Sequence, residues 1–152
     1  MATSTPVPSS SSTQPICLSF PLPKSNDARI HLQLTNQKSS ILLFLTTAMK
    51  GDTSTGAPLG SFVYALPDRL NPGQCLSTPL FTYESSLEFT TRLAKLLARR
   101  TGKPVYVGNS ISFASAGLGG TIEEEMEGFK MVVKVVMEEV EKAGGEKIVN
   151  GN

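Results

Sequence analysis

Residues 30–45 read IHLQLTNQKSSILLFL and predict a β-hairpin. In the first half, apolar residues alternate with polar ones, which is the period of a strand with one buried face. Residues 36–39 are polar and supply a turn. The run Ile41–Leu45 shows no alternation, so we expect this strand to be buried on both faces.

Further strands are predicted on both sides of this hairpin. Residues 16–22 alternate in the same way, and Pro21 limits that strand to a sheet edge or to an early end. Residues 61–65 predict a fourth strand, residues 76–82 a short fifth and residues 105–107 a sixth. Together with two helices, these strands predict the α+β class, with a small antiparallel sheet.

The first helix is predicted to begin at a capping box formed by Ser85 and Glu88, in which each side chain satisfies a free N–H group at the helix start. A leucine stripe at 93, 96 and 97 marks its buried face. Gly102 and Pro104 predict its end, because glycine accepts the left-handed cap conformation and proline cannot continue a helix.

The second helix is predicted to begin at a similar box, Thr121 with Glu124, and to end at Gly144-Gly145. Its predicted apolar face consists of Ile122, Met126, Phe129, Val133, Val136 and Val140. We therefore predict a single domain over residues 15–143. The polar segments 1–14 and 144–152 are predicted to be disordered tails.

Composition excludes some classes of partner. The chain has 152 residues and a formal net charge of +1, which gives no bulk attraction to nucleic acid or anionic lipid. The longest apolar run has five residues, 41–45, and is too short to span a bilayer. No targeting segment is recognisable. We therefore expect a protein of the cytosol, with the nucleus as a second location, and two free thiols at Cys17 and Cys75, although a disulfide between them stays open.

No residue pattern indicates catalysis, a metal or a cofactor. His31 is the single histidine and lies on the polar side of a predicted strand, so we expect it to face solvent. The segment Gly117–Thr121 precedes a helix like a phosphate loop, but it lacks the Gly-Lys-Thr ending. Glu123–Glu125 follow it and would repel a phosphate. A hinge before a capped helix is the favoured interpretation.

Charge is distributed unevenly between the two helices. Residues 85–103 contain five basic residues and one acidic residue, whereas residues 121–143 contain seven acidic and three basic ones. Four basic residues follow one another at helical spacing and form what we call the basic row: Arg92, Lys95, Arg99 and Lys103. The basic row is a candidate partner-binding surface; the alternative is that it attracts the acidic helix of the same chain.

Three segments resemble one known family. Residues 92–107, RLAKLLARRTGKPVYV, resemble the helix-to-strand segment of the proteasome assembly chaperone 4 family. Residues 122–129 are similar to its acidic closing helix, and residues 30–45 to its early hairpin. The tails, the loop at 50–58 and the rest of the second helix have no counterpart and look like additions of a fungal-type member.

The resemblance implies a non-catalytic function. Members of this family pair with proteasome assembly chaperone 3 as a heterodimer, with two sheets brought together. They promote formation of the 20S alpha ring by contacting an alpha subunit, alpha 5 in the yeast relative, and leave as beta subunits arrive. Two other functions stay open from the residues: a generic homodimeric adaptor and a small-molecule enzyme on an α+β scaffold.

The two-sided third strand adds an argument that does not depend on the resemblance. If both helices cover one face of the sheet, the other face stays apolar and needs a partner. If one helix covers each face, the monomer is self-sufficient. The sequence leaves both arrangements open.

Overall fold

The computed structural model describes residues 14–52 and 56–149, which form one sheet and two helices. The strands are Ile16–Pro21 (β1), Ala28–Asn36 (β2), Ile41–Met49 (β3), Ser61–Pro67 (β4), Cys75–Phe81 (β5) and Val105–Ser110 (β6). The helices are Glu84–Thr101 (α1), between β5 and β6, and Ile122–Val149 (α2), after β6. The predicted α+β class is confirmed. Of the predicted tails, residues 1–13 and 150–152 lie outside the described residues.

The sheet has the strand order β1-β2-β3-β6-β4-β5 and is mixed. Four neighbouring pairs are antiparallel, but β3 and β6 run parallel, with Ile41 opposite Val105. The expectation of an antiparallel sheet was wrong at this pair. The physical reason is the connection through α1, which crosses over β4 and brings the chain back as β6 between β3 and β4.

Both helices cover the same face of the sheet, which we call the covered face. Leu93 and Leu97 of α1 and Val132 and Val136 of α2 are fully buried in one apolar core. The strands contribute every second residue to this core, as their pleat requires. These strand residues are Ala28, Ile30, Leu32, Leu34, Ile41, Leu43, Leu45, Val63, Ala65, Val105 and Val107. Of the two helix arrangements that the sequence left open, the structure has the one with a bare second face.

A buried hydroxyl pair fixes the start of α1. The Ser86 hydroxyl donates to the Ser61 hydroxyl at 2.9 Å and accepts from the Ser61 backbone N–H at 3.1 Å. Tyr83 occupies the N-cap position, with no side-chain cap. The predicted capping box of Ser85 and Glu88 is therefore wrong, because the N-cap lies two residues before Ser85 and a tertiary contact holds the helix start. The end of α1 is as predicted, with Gly102 left-handed at φ 70°.

The start of α2 is held by the carboxylate of Glu124, which is fully buried. It accepts backbone N–H groups from Leu118, Gly120 and Thr121, the last two at 2.8 and 3.1 Å. The Thr121 hydroxyl accepts the Glu124 N–H at 3.3 Å, so this predicted capping box is confirmed. Burial raises the pKa of Glu124, but the backbone N–H groups and the charge of Lys24 lower it by more, and the pKa lies below its usual 4.5.

The second helix differs from its prediction at both ends. Ile122 and Met126 are exposed, by 73% and 49%, although the spacing placed them on the buried face. At the other end α2 continues past Gly144 to Val149. Glycine ends a helix where it turns left-handed, as Gly102 does, and Gly144 does not. Neither described helix is long and apolar enough to cross a membrane.

The two edge strands each contain a proline. Pro21 ends β1, as predicted, and Pro79 lies within β5 opposite Val63. The two thiols also lie on these edge strands, Cys17 in β1 and Cys75 in β5, with four strands between them. A disulfide within one chain is therefore excluded by distance, and the open alternative of the sequence analysis is settled in favour of free thiols.

Replacing Glu124 with Gln should lower the free energy of unfolding at neutral pH, because three backbone N–H groups lose a charged acceptor. The folded-state pKa lies below the unfolded one, so this contribution is complete above about pH 4.5 and disappears as pH falls further. Urea denaturation of both proteins at neutral and acid pH measures it. The stability difference should shrink on acidification.

The matched control is Glu123→Gln, an exposed carboxylate in the same helical turn. It should change stability little at either pH. An equal loss from both substitutions at neutral pH would contradict the assignment.

Candidate protein interface

The face of the sheet opposite both helices carries large apolar side chains. Because residues alternate along a strand, the partners of the buried core residues point to this side. We call it the open face, and its central residues come from β3, β4 and β6. They are Leu42, Phe44, Phe62, Tyr64, Tyr106 and Gly108, and all the side chains among them are half-buried. The both-sided burial predicted for β3 is thus complete on the covered face and partial on the open one.

The aromatic rings of the open face contact one another across three strands. The ring centroids of Tyr64 and Tyr106 are 4.7 Å apart, and those of Phe62 and Tyr106 are 6.2 Å apart. Phe44 and Phe62 stack at 6.1 Å. Such contacts add a little to area burial and hold rings with few rotamers in place. The open face is therefore a pre-organised aromatic surface.

Gly108 makes this stacking possible. It lies between Phe44 and Phe62, which are opposite it on the two neighbouring strands. A Cβ atom there would lie 2.7 Å from Cδ1 of Phe44 and 2.9 Å from Cδ1 of Leu59. The Phe44 ring and the Leu59 side chain therefore occupy the space that a side chain at position 108 would need. The segment that contains Leu59 thus reaches onto the open face.

The two ends of the open face differ in polarity. Towards β5, Leu76 is 59% exposed and stands directly opposite Leu66, which is 37% exposed. Towards β1 and β2 the exposed residues are Cys17, Ser19, His31 and Gln33. An apolar centre with a polar rim is the usual layout of a protein–protein interface.

The structure divides the predicted basic row. Lys95 and Arg99 are exposed on α1, whereas the Arg92 guanidinium lies 5.4 Å from the centre of the Phe129 ring in α2. Lys103 lies beyond the helix, and its Nζ donates to Asn36 Oδ1 and to the Gln37 carbonyl, both at 3.0 Å. Among the side chains that the structure describes, no ion pair joins Arg92, Lys95 or Arg99 to the acidic helix. Its assignment to a partner stays a prediction.

The remaining motifs have structural positions. His31 is exposed on β2, as expected. N–H groups of the Gly117–Thr121 loop hold the chain's own Glu124, in the position where a phosphate loop would hold its ligand. That the loop acts as a hinge stays a prediction. Within residues 14–52 and 56–149, no group of three or more His, Cys, Asp or Glu side chains is placed to hold a metal ion.

Sequence reasoning named Phe44 but missed the other rings of the open face. The available signal was in residues 61–65 and 105–107, where neither strand alternates between apolar and polar residues. In an antiparallel sheet with one face in water, every second residue of a strand faces the water and is polar. Tyr64 and Tyr106 occupy these alternate positions. They therefore indicated strands with two apolar faces, as the run 41–45 did.

A sheet with one face under helices and a rigid aromatic surface on the other belongs to the class of domains that dock onto other proteins. The chain is a member of the proteasome assembly chaperone 4 family, whose family model matches residues 29–111. The match spans β2 to the end of β6 and thus includes the centre of the open face. The resemblance found in the sequence is confirmed, and with it the role of a proteasome assembly chaperone.

A solved structure has the same fold. It is a chain from the crystal structure of a novel chaperone complex for yeast 20S proteasome assembly. The TM-score is 0.53 at 19% sequence identity, and the match covers 83% of this chain and 96% of that chain. No curated protein sequence matches this chain.

Replacing Gly108 with Val should force Phe44 and Leu59 apart and lower the free energy of unfolding by about 1–3 kcal/mol. Thr78→Val is the matched control, because it also places a valine on the open face, at an exposed position of β5 opposite Tyr64. Its effect should stay within about 0.5 kcal/mol. Urea midpoints measure both, and equal stabilities would refute the proposed crowding at Gly108.

Proposed function

We propose that this chain is a non-catalytic chaperone that pairs with proteasome assembly chaperone 3 through its open face. The pair promotes assembly of the 20S alpha ring by binding an alpha subunit, alpha 5. The observation that carries the proposal is the position of both helices on one face, which leaves the aromatic side chains of the other only half-buried.

The geometry of the open face suits another sheet. Sheets pack face to face about 10 Å apart, with side chains interdigitating between them. Six strands at about 4.8 Å spacing and about 20 Å length give a footprint of roughly 29 by 20 Å. With side-chain relief, that is the order of the ~800 Å² which each partner buries in a stable interface. The pre-ordered rings reduce the entropy lost on pairing.

Two findings support a chaperone partner. The family match runs from β2 to β6. It therefore includes β3, β4 and β6, which carry the aromatic centre of the open face. The similar solved chain is part of a chaperone complex. The pairing with chaperone 3 and the contact with alpha 5 follow the properties of the family that the sequence resembles.

The alternative of a homodimeric adaptor uses the same face, with a second copy as the cover. The two can be separated by competition, because a face that fits chaperone 3 better than itself gives a heterodimer when both chains are present. We expect the isolated chain to self-associate or aggregate and the co-expressed chains to form a 1:1 dimer.

Replacing Leu76 with Asp should weaken pairing with chaperone 3 by at least about tenfold, because the charged carboxylate would be desolvated in the interface without a partner. Leu76 is 59% exposed in the isolated chain, so folding should be little affected. Leu70→Asp is the matched control: Leu70 is 90% exposed and lies in the connection between β4 and β5, outside both strands. Light scattering after size exclusion and titration calorimetry measure pairing.

Two results would contradict the proposal. A stable monomer with no affinity for chaperone 3 would exclude the pairing itself. Pairing that survives Leu76→Asp but fails with Leu70→Asp would place the interface elsewhere on the chain.

A further inference from the structure

A second apolar surface lies on the helix side of the molecule. Between α1 and α2, at the end of the sheet where β6 stops, there is a groove of ≈ 1530 Å³, which we call the interhelical groove. Phe89 of α1 lines it. The Phe89 ring is 5.8 Å from that of Phe113 and 5.2 Å from that of Phe129 in α2. Gly128 lets α2 approach, since a Cβ there would lie 2.5 Å from the Phe113 ring.

The wall of the interhelical groove on α2 is apolar and uncovered. Ile122 and Met126 line it and are exposed, although their helical spacing matches that of the buried valines. Neither side chain is needed to cover the sheet, because the core under the helices is filled by Val132, Val133 and Val136. Two large apolar side chains held beside three aromatic rings form a patch of the kind that marks a binding site.

Basic side chains predominate at the rim of the interhelical groove. Four are basic, two from each helix, against two acidic ones, Glu88 and Glu125. The four basic residues are Arg92, Arg100, Lys130 and Lys134. In the part of the chain that the structure describes, none of these four forms an ion pair. Arg92 stacks on the Phe129 ring, which leaves its N–H edge available.

This combination specifies the chemistry of an occupant. The apolar floor of the groove can bind apolar side chains of a partner. The basic rim can bind carboxylates, which pair with the guanidinium and ammonium groups that the two helices hold in place. A nucleic acid would meet only four cations around an apolar floor. An acidic, apolar protein segment satisfies both parts.

We propose that the interhelical groove is the surface that holds the alpha subunit, through a segment of that subunit in which apolar side chains are flanked by carboxylates. The inference rests on the proposed function, because it names the client surface of the chaperone. The groove lies on the helix side and the open face on the other, although Pro58 and Leu59 line both. None of the six central residues of the open face lines the groove, so sister chaperone and alpha subunit can be bound at the same time.

The test uses the purified 1:1 dimer with chaperone 3 and the alpha 5 subunit, with affinity measured at several salt concentrations. The double substitution Lys130→Glu/Lys134→Glu should weaken alpha 5 binding by at least about tenfold and flatten its dependence on salt. Pairing with chaperone 3 should stay unchanged. The matched control, Lys38→Glu/Lys50→Glu, reverses two exposed charges outside the groove and outside the basic row. It should change alpha 5 affinity by no more than about twofold.

A second variant tests the apolar part of the groove. Met126→Gln keeps the length of the side chain at a site already exposed, so the fold should be retained. It should weaken alpha 5 binding by about three- to tenfold without altering the salt dependence. A purely electrostatic surface would not respond to this change.

Each outcome decides the inference. Loss of alpha 5 binding in both groove variants, with the control intact, supports it. Unchanged binding in the groove variants overturns the groove alone. Equal loss with the Lys38/Lys50 control also overturns it and would favour long-range attraction. A wild-type dimer that forms but does not bind alpha 5 overturns the client part of the proposed function and this inference together.

Discussion

The connection from β5 through α1 to β6 determines where the other elements lie. It joins two parallel strands that have β4 between them, so α1 must cross one face of β4. Leu93 and Leu97 then bury Val63 and Val105 on that side. The same crossover inserts β6 beside β3 and completes the row of rings on the opposite side. One connection thus produces both the hydrophobic core and the bare aromatic surface.

The placement of α2 depends on a different interaction, the buried carboxylate of Glu124. Three backbone N–H groups of the glycine-rich loop surround it, in the way that such loops surround a phosphate in other proteins. Here the anion belongs to the chain itself. The loop therefore has a structural role: it fixes the direction in which α2 leaves the sheet. That direction keeps Ile122 and Met126 away from the core and beside Phe89.

The local elements were predictable from the sequence because local patterns determine them. The alternation around residues 30–34, the glycine end of α1 at Gly102 and the capping box of Thr121 were sufficient. Predictions failed where a residue distant in sequence decides the outcome. The start of α1 depends on Ser61, 25 residues before Ser86, and the parallel pair joins residues that are 64 positions apart, as Ile41 and Val105 are.

The candidate surfaces show the same division. The apolar run 41–45 indicated two apolar faces, but only the strand order brings Phe44, Phe62 and Tyr106 together. The basic row was visible in the sequence as a helical period. The interhelical groove was not, because its rim combines residues of two helices whose relative position no spacing encodes. Helical spacing also predicted burial for Met126, since periodicity identifies an apolar side and not what covers it.

The prolines of the two edge strands limit how large an assembly of this chain can grow. Pro21 in β1 and Pro79 in β5 each remove a backbone N–H from a strand that has a neighbour on one side only. Addition of further strands to either edge, the route to open-ended fibres, is thereby disfavoured. If the open face is used once, as proposed, the assembly is a closed pair, because neither edge strand favours the addition of a further strand.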